Sequence, residues 1–340
     1  NDIAPKVKRA DFCTMFPLNH PNGIFLTHVQ RTGPIGSRLQ DILGVWALSK
    51  HLKVDFCTKD QQSFGFGQCP RNINAMPFNY DEVSEGRAKH GFYLVGGDDS
   101  SDAWSYVKKV TSDAIWNRQL AKEWLGRLLK SVKKAGTSEL LWGNDNSIKV
   151  AVHVPRGDIM CSNKRKAFHV EEMRHVVERT RSELVTKFGA HRRVEVHLFA
   201  EAENGSDRNV YQNATDFYHL SATDDERAVL RDYHHFALAD VLIVGSTFSA
   251  VPALARGPPD TSSGLPITKV WKDYQGSFGG TSRRGPSWWT QYELREDPSA
   301  VGVNRSVQNA NECMKSENKL RKFNLKRKRV VGALKLSRPI

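Results

Sequence analysis

No stretch of this 340-residue chain approaches the roughly 18 consecutive apolar residues of a membrane-spanning helix. Cysteine is scarce: Cys13, Cys57, Cys69, Cys161 and Cys313 include no C-x-x-C and no Cys/His cluster at zinc spacing. There is no Walker loop, no Gly-x-Gly-x-x-Gly and no Gly-x-Ser-x-Gly, which removes the common phosphate-loop and nucleophile-elbow signatures. Glycine (25) and proline (14) are too few for a collagen-like or Pro-rich fibre. What is present is 39% apolar and 26% charged residues, too apolar for a disordered chain and too polar for a membrane bundle. The length suggests about two domains of roughly 100–200 residues each.

The net charge of +13 is unevenly placed. Residues 313–340 hold ten basic residues and one acidic residue, Glu317, so +9 of the total sits in that tail, around Lys326, Arg327, Lys328 and Arg329. The body carries only about +4, and no strong field in it demands nucleic acid. The tail is either a solvated segment or a contact for a membrane surface or polyanion. Three N-x-[ST] sequons begin at Asn204, Asn213 and Asn304 and lean towards a secretory route. In an oxidising lumen Cys57 and Cys69 can pair. The chain starts at Asn1 rather than Met, which reads as a processed or trimmed form with any signal peptide or anchor upstream.

The hydrophobic pattern is α/β. Residues 1–23, with Pro5, Pro17 and Pro21, read as an irregular lead-in or stem. An apolar strand over 23–29 leads into a loop and then a helix over 37–51, followed by a strand over 53–58. That is the strand–loop–helix–strand unit of a parallel sheet. Residues 59–88 show no period and read as a surface excursion; 91–95 is a strand candidate. A helix over 113–135 presents Leu120, Trp124, Leu128 and Val132 on one face and stops at Gly136. The pattern then restarts with strands at 148–154 and 194–198 and a helix from Val170 to near Gly189. A capping box at 223–226 opens another helix. A buried strand over 240–244 runs into the turn at 245–249, where Pro252 suits the first turn of a short helix starting near Ser249. One more strand is expected at 267–271. Two units therefore emerge, 24–145 and 146–312, before the basic tail at 313–340.

Ligands in open α/β sheets bind at the carboxyl ends of strands, and three loops have that position. In His153-Val154-Pro155-Arg156-Gly157-Asp158, a guanidinium just past the strand can neutralise a diphosphate leaving group. Asp158 can fix that guanidinium or act on a substrate hydroxyl. Ser246-Thr247-Phe248-Ser249 offers hydroxyls and amides at a helix start, which suits a phosphate and equally suits ordinary N-capping. Gly33-Pro34-Ile35-Gly36-Ser37-Arg38 allows close backbone approach, or is only a tight turn. Trp288-Trp289 can stack on a sugar or base, or be buried. His234 and His235 are adjacent in sequence and so do not share a helix face as metal ligands would. Asp-x-Asp, which would hold a divalent metal beside a sugar nucleotide, occurs nowhere.

The three loops together resemble the fucosyltransferase-like superfamily of GT-B glycosyltransferases, which includes the alpha-1,2- and alpha-1,6-fucosyltransferases and the protein O-fucosyltransferases. The resembling stretches are GPIGSRLQDILGVWAL, VAVHVPRGDI and HHFALADVLIVGSTFSAVPALA, in order over about residues 24–257. The resemblance implies two Rossmann-like domains whose parallel sheets face across a cleft. The first domain would serve the acceptor side and the second the nucleotide-sugar side. It implies that Arg156 meets the departing diphosphate, His153 lines the donor pocket, and Asp240 holds the base or ribose. Ser246, Thr247, Phe248 and Ser249 would wrap the pyrophosphate, with Gly33, Gly36, Ser37 and Arg38 approaching from the first domain. Two positions depart from the family: Pro155 replaces its first arginine, and Ser37 replaces an asparagine.

The function these readings imply is metal-independent, inverting transfer of a sugar to a glycan or glycoprotein hydroxyl, with fucose from GDP-fucose as donor. The nucleotide sugar is a co-substrate, no cofactor is expected, and Asp158 is the candidate general base. The expected location is the Golgi lumen, behind an upstream membrane anchor. The alternative is a catalytically degenerate module of the same fold that binds a glycan or polyanion through Trp288-Trp289 and the tail.

Overall fold

The computed structural model describes residues 23–28, 35–58, 64–69, 73–95, 116–143, 145–154, 170–201, 214–221, 226–271, 286 and 288–292. They form an α/β structure with two sheets in which every strand pairing is parallel.

The first sheet has the order β2-β1-β4-β3, with β1 at Ile24–His28, β2 at Asp55–Phe56, β3 at Ala75–Pro77 and β4 at Gly91–Val95. Its central strands are near-continuous apolar runs, as sheets covered on both faces require. Its edges are short, and Pro77 stands in β3, where a missing N–H is tolerated. Between β1 and β2 runs α1 (Ile35–Leu52), which starts two residues before the sequence reading placed it. Both faces of α1 are apolar. Ile42, Leu43 and Trp46 face one core, and Val45 and Leu48 face the first sheet. Between β3 and β4 lies the short α2 (Tyr80–Ser84), capped by the Asn79 side chain.

The expectation of a featureless excursion over 59–88 is corrected. β3 and α2 lie within it, Phe64 and Phe66 are buried in the core, and Cys57 and Cys69 form a disulfide. The glycines around both phenylalanines hid their burial from any test of periodicity.

The second sheet has the order β10-β9-β8-β5-β6-β7. Its strands are β5 (Ile148–Val154), β6 (Val194–Glu201), β7 (Phe217–Ser221), β8 (Val241–Val244), β9 (Ile267–Trp271) and β10 (Thr290–Tyr292). Helices α4 (Val170–Phe188), α5 (Glu226–Leu238) and α6 (Thr247–Ala253) connect them. Counted from β5, the strand order is 3-2-1-4-5-6, the doubly wound dinucleotide-binding arrangement. Ile148, Val150, Val152 and Val154 pack with Met173, Val177 and Leu184 of α4, while Ala151 faces the opposite core with Phe199 and Phe236. Strands β7 and β10 escaped the sequence reading; both are short edge strands.

Before β5 comes α3 (Arg118–Lys134), capped by the Asn117 side chain and followed by Gly136 at φ +70°. Although it precedes residue 145, α3 packs on α5 and α6 of the second half. The indole N–H groups of Trp116 and Trp124 donate to the carbonyls of Leu254 and Val251, each at 3.0 Å. Carbonyls in the last turn of a helix lack intrahelical partners, and these indoles satisfy two of them.

One apolar cluster holds Leu39, Ile42, Leu43 and Trp46 of α1, Phe64, Phe66, Leu128 of α3, Tyr233 of α5, and Val251 and Leu254 at the end of α6. The halves therefore meet through a packed contact. The loops 29–34 and 155–169, which would line the expected cleft, lie outside the described residues.

Candidate functional site

β5 and β8 are neighbours, and the strand order reverses between them. At such a switch point the connections leave in opposite directions and open a crevice beyond the carboxyl ends of the strands. His153 is the penultimate residue of β5, and Ser246 lies two residues past β8. The fold brings these motifs together from 96 positions apart: His153 Nδ1 is 3.0 Å from Ser249 Oγ and 3.4 Å from Ser246 Oγ.

The turn is built by reciprocal capping. Ser246 Oγ accepts the Phe248 N–H at 3.2 Å, and Ser249 Oγ accepts the Gly245 N–H at 3.1 Å. This leaves the Ser249 proton for His153 Nδ1 or for the Ser246 carbonyl, 3.2 Å away. The helix thus begins at Thr247, two residues before the expected start near Ser249, and Pro252 sits inside it. The imidazole of His153 packs 5.2 Å from the Phe248 ring and 5.6 Å from Phe236. Burial among these rings lowers the His153 pKa to about 3, so the ring is neutral at pH 7.

Both serines are buried, Ser249 at 0% exposure and Ser246 at 3%. Their hydroxyls face His153 and the turn itself instead of wrapping a ligand. Of Thr247, as of Ser37, only the backbone is described.

Asp240 does not join this group. It precedes β8 and therefore lies at the amino end of the strand, away from the crevice. Its carboxylate accepts the Lys149 backbone N–H at 2.8 Å, and its carbonyl accepts from Arg256 at 3.0 Å. Arg256 is buried and also donates to the Phe236 and Ile267 carbonyls and to Thr268 Oγ1, which ties α5 to β8 and β9. Burial lowers its pKa to about 9, against the opposing pull of Asp240. The expectation that Asp240 holds a base or ribose is therefore corrected: the residue fastens the floor of the sheet.

Gly36 and Arg38 lie in the first turn of α1, which packs on α6 through the shared core. Arg38 Nε is buried and has no hydrogen-bond partner among the described residues. Gly33, Arg156 and Asp158 lie outside the described residues; Arg156 follows the end of β5 by two positions.

His235 is structural. His235 Nδ1 lies 2.6 Å from the Arg231 carbonyl, its Nε2 accepts the Leu141 N–H at 2.8 Å, and Trp142 packs edge-on against it. Among the described residues no group of three or more His, Cys, Asp or Glu side chains is arranged to hold a metal. Trp289 is buried in the core and Trp288 packs against it, so Trp289 does not offer a stacking face. The sequence reading missed Phe236, whose ring packs on His153, and Tyr233, whose ring packs on Phe248; both look like ordinary apolar positions of α5.

No family model matches the sequence, and no curated protein matches it. A mutant of FUT1 from Arabidopsis thaliana in complex with GDP is similar in structure at 11% identity, over 76% of this chain and 78% of that one, with a TM-score of 0.42. POFUT1 in complex with GDP-fucose is similar at 12% identity over 82% of this chain and 99% of that one, with a TM-score of 0.36. The E. coli heptosyltransferase WaaC with ADP-2-deoxy-2-fluoro heptose is similar at 9% identity over 87% and 99%, with a TM-score of 0.37. All three are distant similarities in the course of the chain.

Proposed function

We propose that the chain is a glycosyltransferase of the GT-B type whose nucleotide-sugar donor lies across the carboxyl ends of β5 and β8. The observation that carries this reading is the meeting of His153 with the Ser246–Ser249 turn at the switch point of a 3-2-1-4-5-6 sheet. Neutral His153 and the rings of Phe236 and Phe248 make a dry wall, in which charge–charge interactions are stronger than in water.

The three sequence motifs favour fucose from GDP-fucose, passed with inversion to a glycan hydroxyl. As the glycosidic bond breaks, negative charge grows on the diphosphate. Arg156 is placed by sequence to receive that charge bidentately, in the role a metal ion plays in other transferases. Arg38, whose Nε has no described partner, is a second cation for the same charge. Asp158 would take the proton of the acceptor hydroxyl. The Cys57–Cys69 disulfide and the three sequons support a secretory, Golgi-type location.

The test is a hydrolysis and transfer screen of the purified protein against a panel of nucleotide sugars. Turnover of GDP-fucose above the other donors is expected; turnover of none would contradict the reading. A second reading, a binding module of the same fold, is favoured by Pro155 in place of the family arginine. It predicts binding of a glycan or polyanion, with no binding of GDP at millimolar concentration and no turnover.

A further inference from the structure

The outer face of α3 takes no part in the site above. Arg118, Lys122, Arg127, Lys130, Lys133 and Lys134 set six basic residues against one acidic residue, Glu123, in this helix. Positions 122, 126, 130 and 134 repeat every four residues and so form one stripe, about 18 Å long at 1.5 Å per residue. The stripe reads Lys-Gly-Lys-Lys. It borders a groove of about 490 Å³ whose opposite wall is Phe64 and Gly65 of the first half.

Three features distinguish this groove from an ordinary solvated helix face. The one carboxylate beside it, Glu123, is already paired with Lys50 of α1 at 2.9 Å. Among the described residues no carboxylate pairs with Lys122, Lys130 or Lys134. Arg127 is fixed: its guanidinium donates to the Gly65 carbonyl and lies 5.0 Å from the centre of the Phe66 ring. Gly126 stands in the middle of the stripe with nothing within 4 Å of where a Cβ would be, which leaves the floor of the groove open.

We propose that this groove is a binding site for an anionic oligosaccharide, sulfated or carboxylated. The positive charges are spread along a concave track, which matches a short chain of repeated anionic groups. A planar membrane surface would not enter a concavity, and a volume in the range of small-ligand pockets, roughly 300–1,000 Å³, holds a few sugar units. A nucleic-acid duplex needs a broader face, about 600 Å² or more even for a single module. The site does not depend on the transferase reading.

The basic tail is a competing anchor, and the experiment separates the two. The full chain is titrated by calorimetry with a sulfated hexasaccharide, the unsulfated hexasaccharide and inorganic phosphate. The wild type should bind the sulfated hexasaccharide and neither of the others. Lys122→Ser/Lys130→Ser/Lys134→Ser should weaken that binding at least tenfold and flatten its salt dependence. Replacing Lys326, Arg327, Lys328 and Arg329 by Ser should weaken it less. Gly126→Glu provides a variant that keeps the fold, since Glu is the better helix former and its Cβ meets no neighbour. It should also lose at least tenfold, whereas Gly126→Gln should lose less. Equal binding by the triple variant, by Gly126→Glu or of the unsulfated chain would overturn the proposal, as would a loss confined to the tail variant.

Discussion

The two sheets share one rule and differ in how much of it they complete. Both are all-parallel, but only the second reverses its strand order once, between β5 and β8; the first, ordered β2-β1-β4-β3, changes direction at β2 and again at β3. The second sheet has three strands on each side of its reversal, and α4, α5 and α6 connect them. The first has four strands in all, with edge strands of two and three residues and a disulfide beside them. A parallel sheet must be covered on both faces, so a short one depends on what covers it. Here α1 covers the first sheet and, with its other face, enters the core of the second half. The first half is therefore stabilised partly by its neighbour and partly by Cys57–Cys69, whereas the second carries its own core and the candidate donor site.

The largest expected effect comes from breaking what the halves share. Trp124 is fully buried between Phe64, Phe66 and α6, and its indole holds the Val251 carbonyl. Trp124→Ala should cost about 3–5 kcal/mol. Because the cluster is common, denaturant unfolding followed by probes in each half should shift together. A shift in one half alone would show that the cores are separate.

A smaller effect should be confined to the first half. Replacing Cys57 and Cys69 by Ala removes a cross-link of 12 residues, worth roughly 3 kcal/mol in the chain-entropy account. Hydrogen exchange should rise in β1, β2 and β4 and remain slow in β5, β6 and β8. Equal loosening of both sheets would contradict the asymmetry.

The second half should instead be the one sensitive to acid. Burial depresses the pKa of His153 and His235 to about 3 and that of His219 to about 4. These rings stay neutral in the folded chain but take a proton on unfolding below about pH 6.5. Stability is thus full above pH 6.5 and falls as the pH drops towards 4. The slope is about 1.4 kcal/mol per pH unit for each fully buried ring such as His153 or His235. Stability that stays flat from pH 7 to pH 5 would contradict this assignment.

What the sequence revealed follows the same division. β5 and β8 are buried along their whole length, β6 keeps valine and leucine at alternate positions, β9 carries an isoleucine and a valine, and the pattern located them. β3, β7 and β10 lie at edges, where exposure allows Pro77, His219 and Gln291, and the hydrophobic period fades. His153 was legible because it stands on the face of β5 opposite Val152 and Val154, just before the strand's end. Its bond to Ser249 was not, because no local pattern encodes a contact across 96 residues. Asp240 is the instructive error. It stands before its strand, at the end where ligands do not bind, and that position alone argued against the role the family resemblance gave it. The groove on α3 was invisible because a lysine stripe becomes a concavity only once Phe64 and Gly65 close its other wall.

The measurement closest to the central claim is a calorimetric titration of the full chain with GDP, repeated on Arg156→Ala. Saturable binding with a dissociation constant below about 1 mM, weakened at least tenfold in the variant while its circular dichroism is unchanged, is the predicted result. Absence of binding at millimolar GDP, or equal binding by both proteins, would contradict a nucleotide site at the ends of β5 and β8.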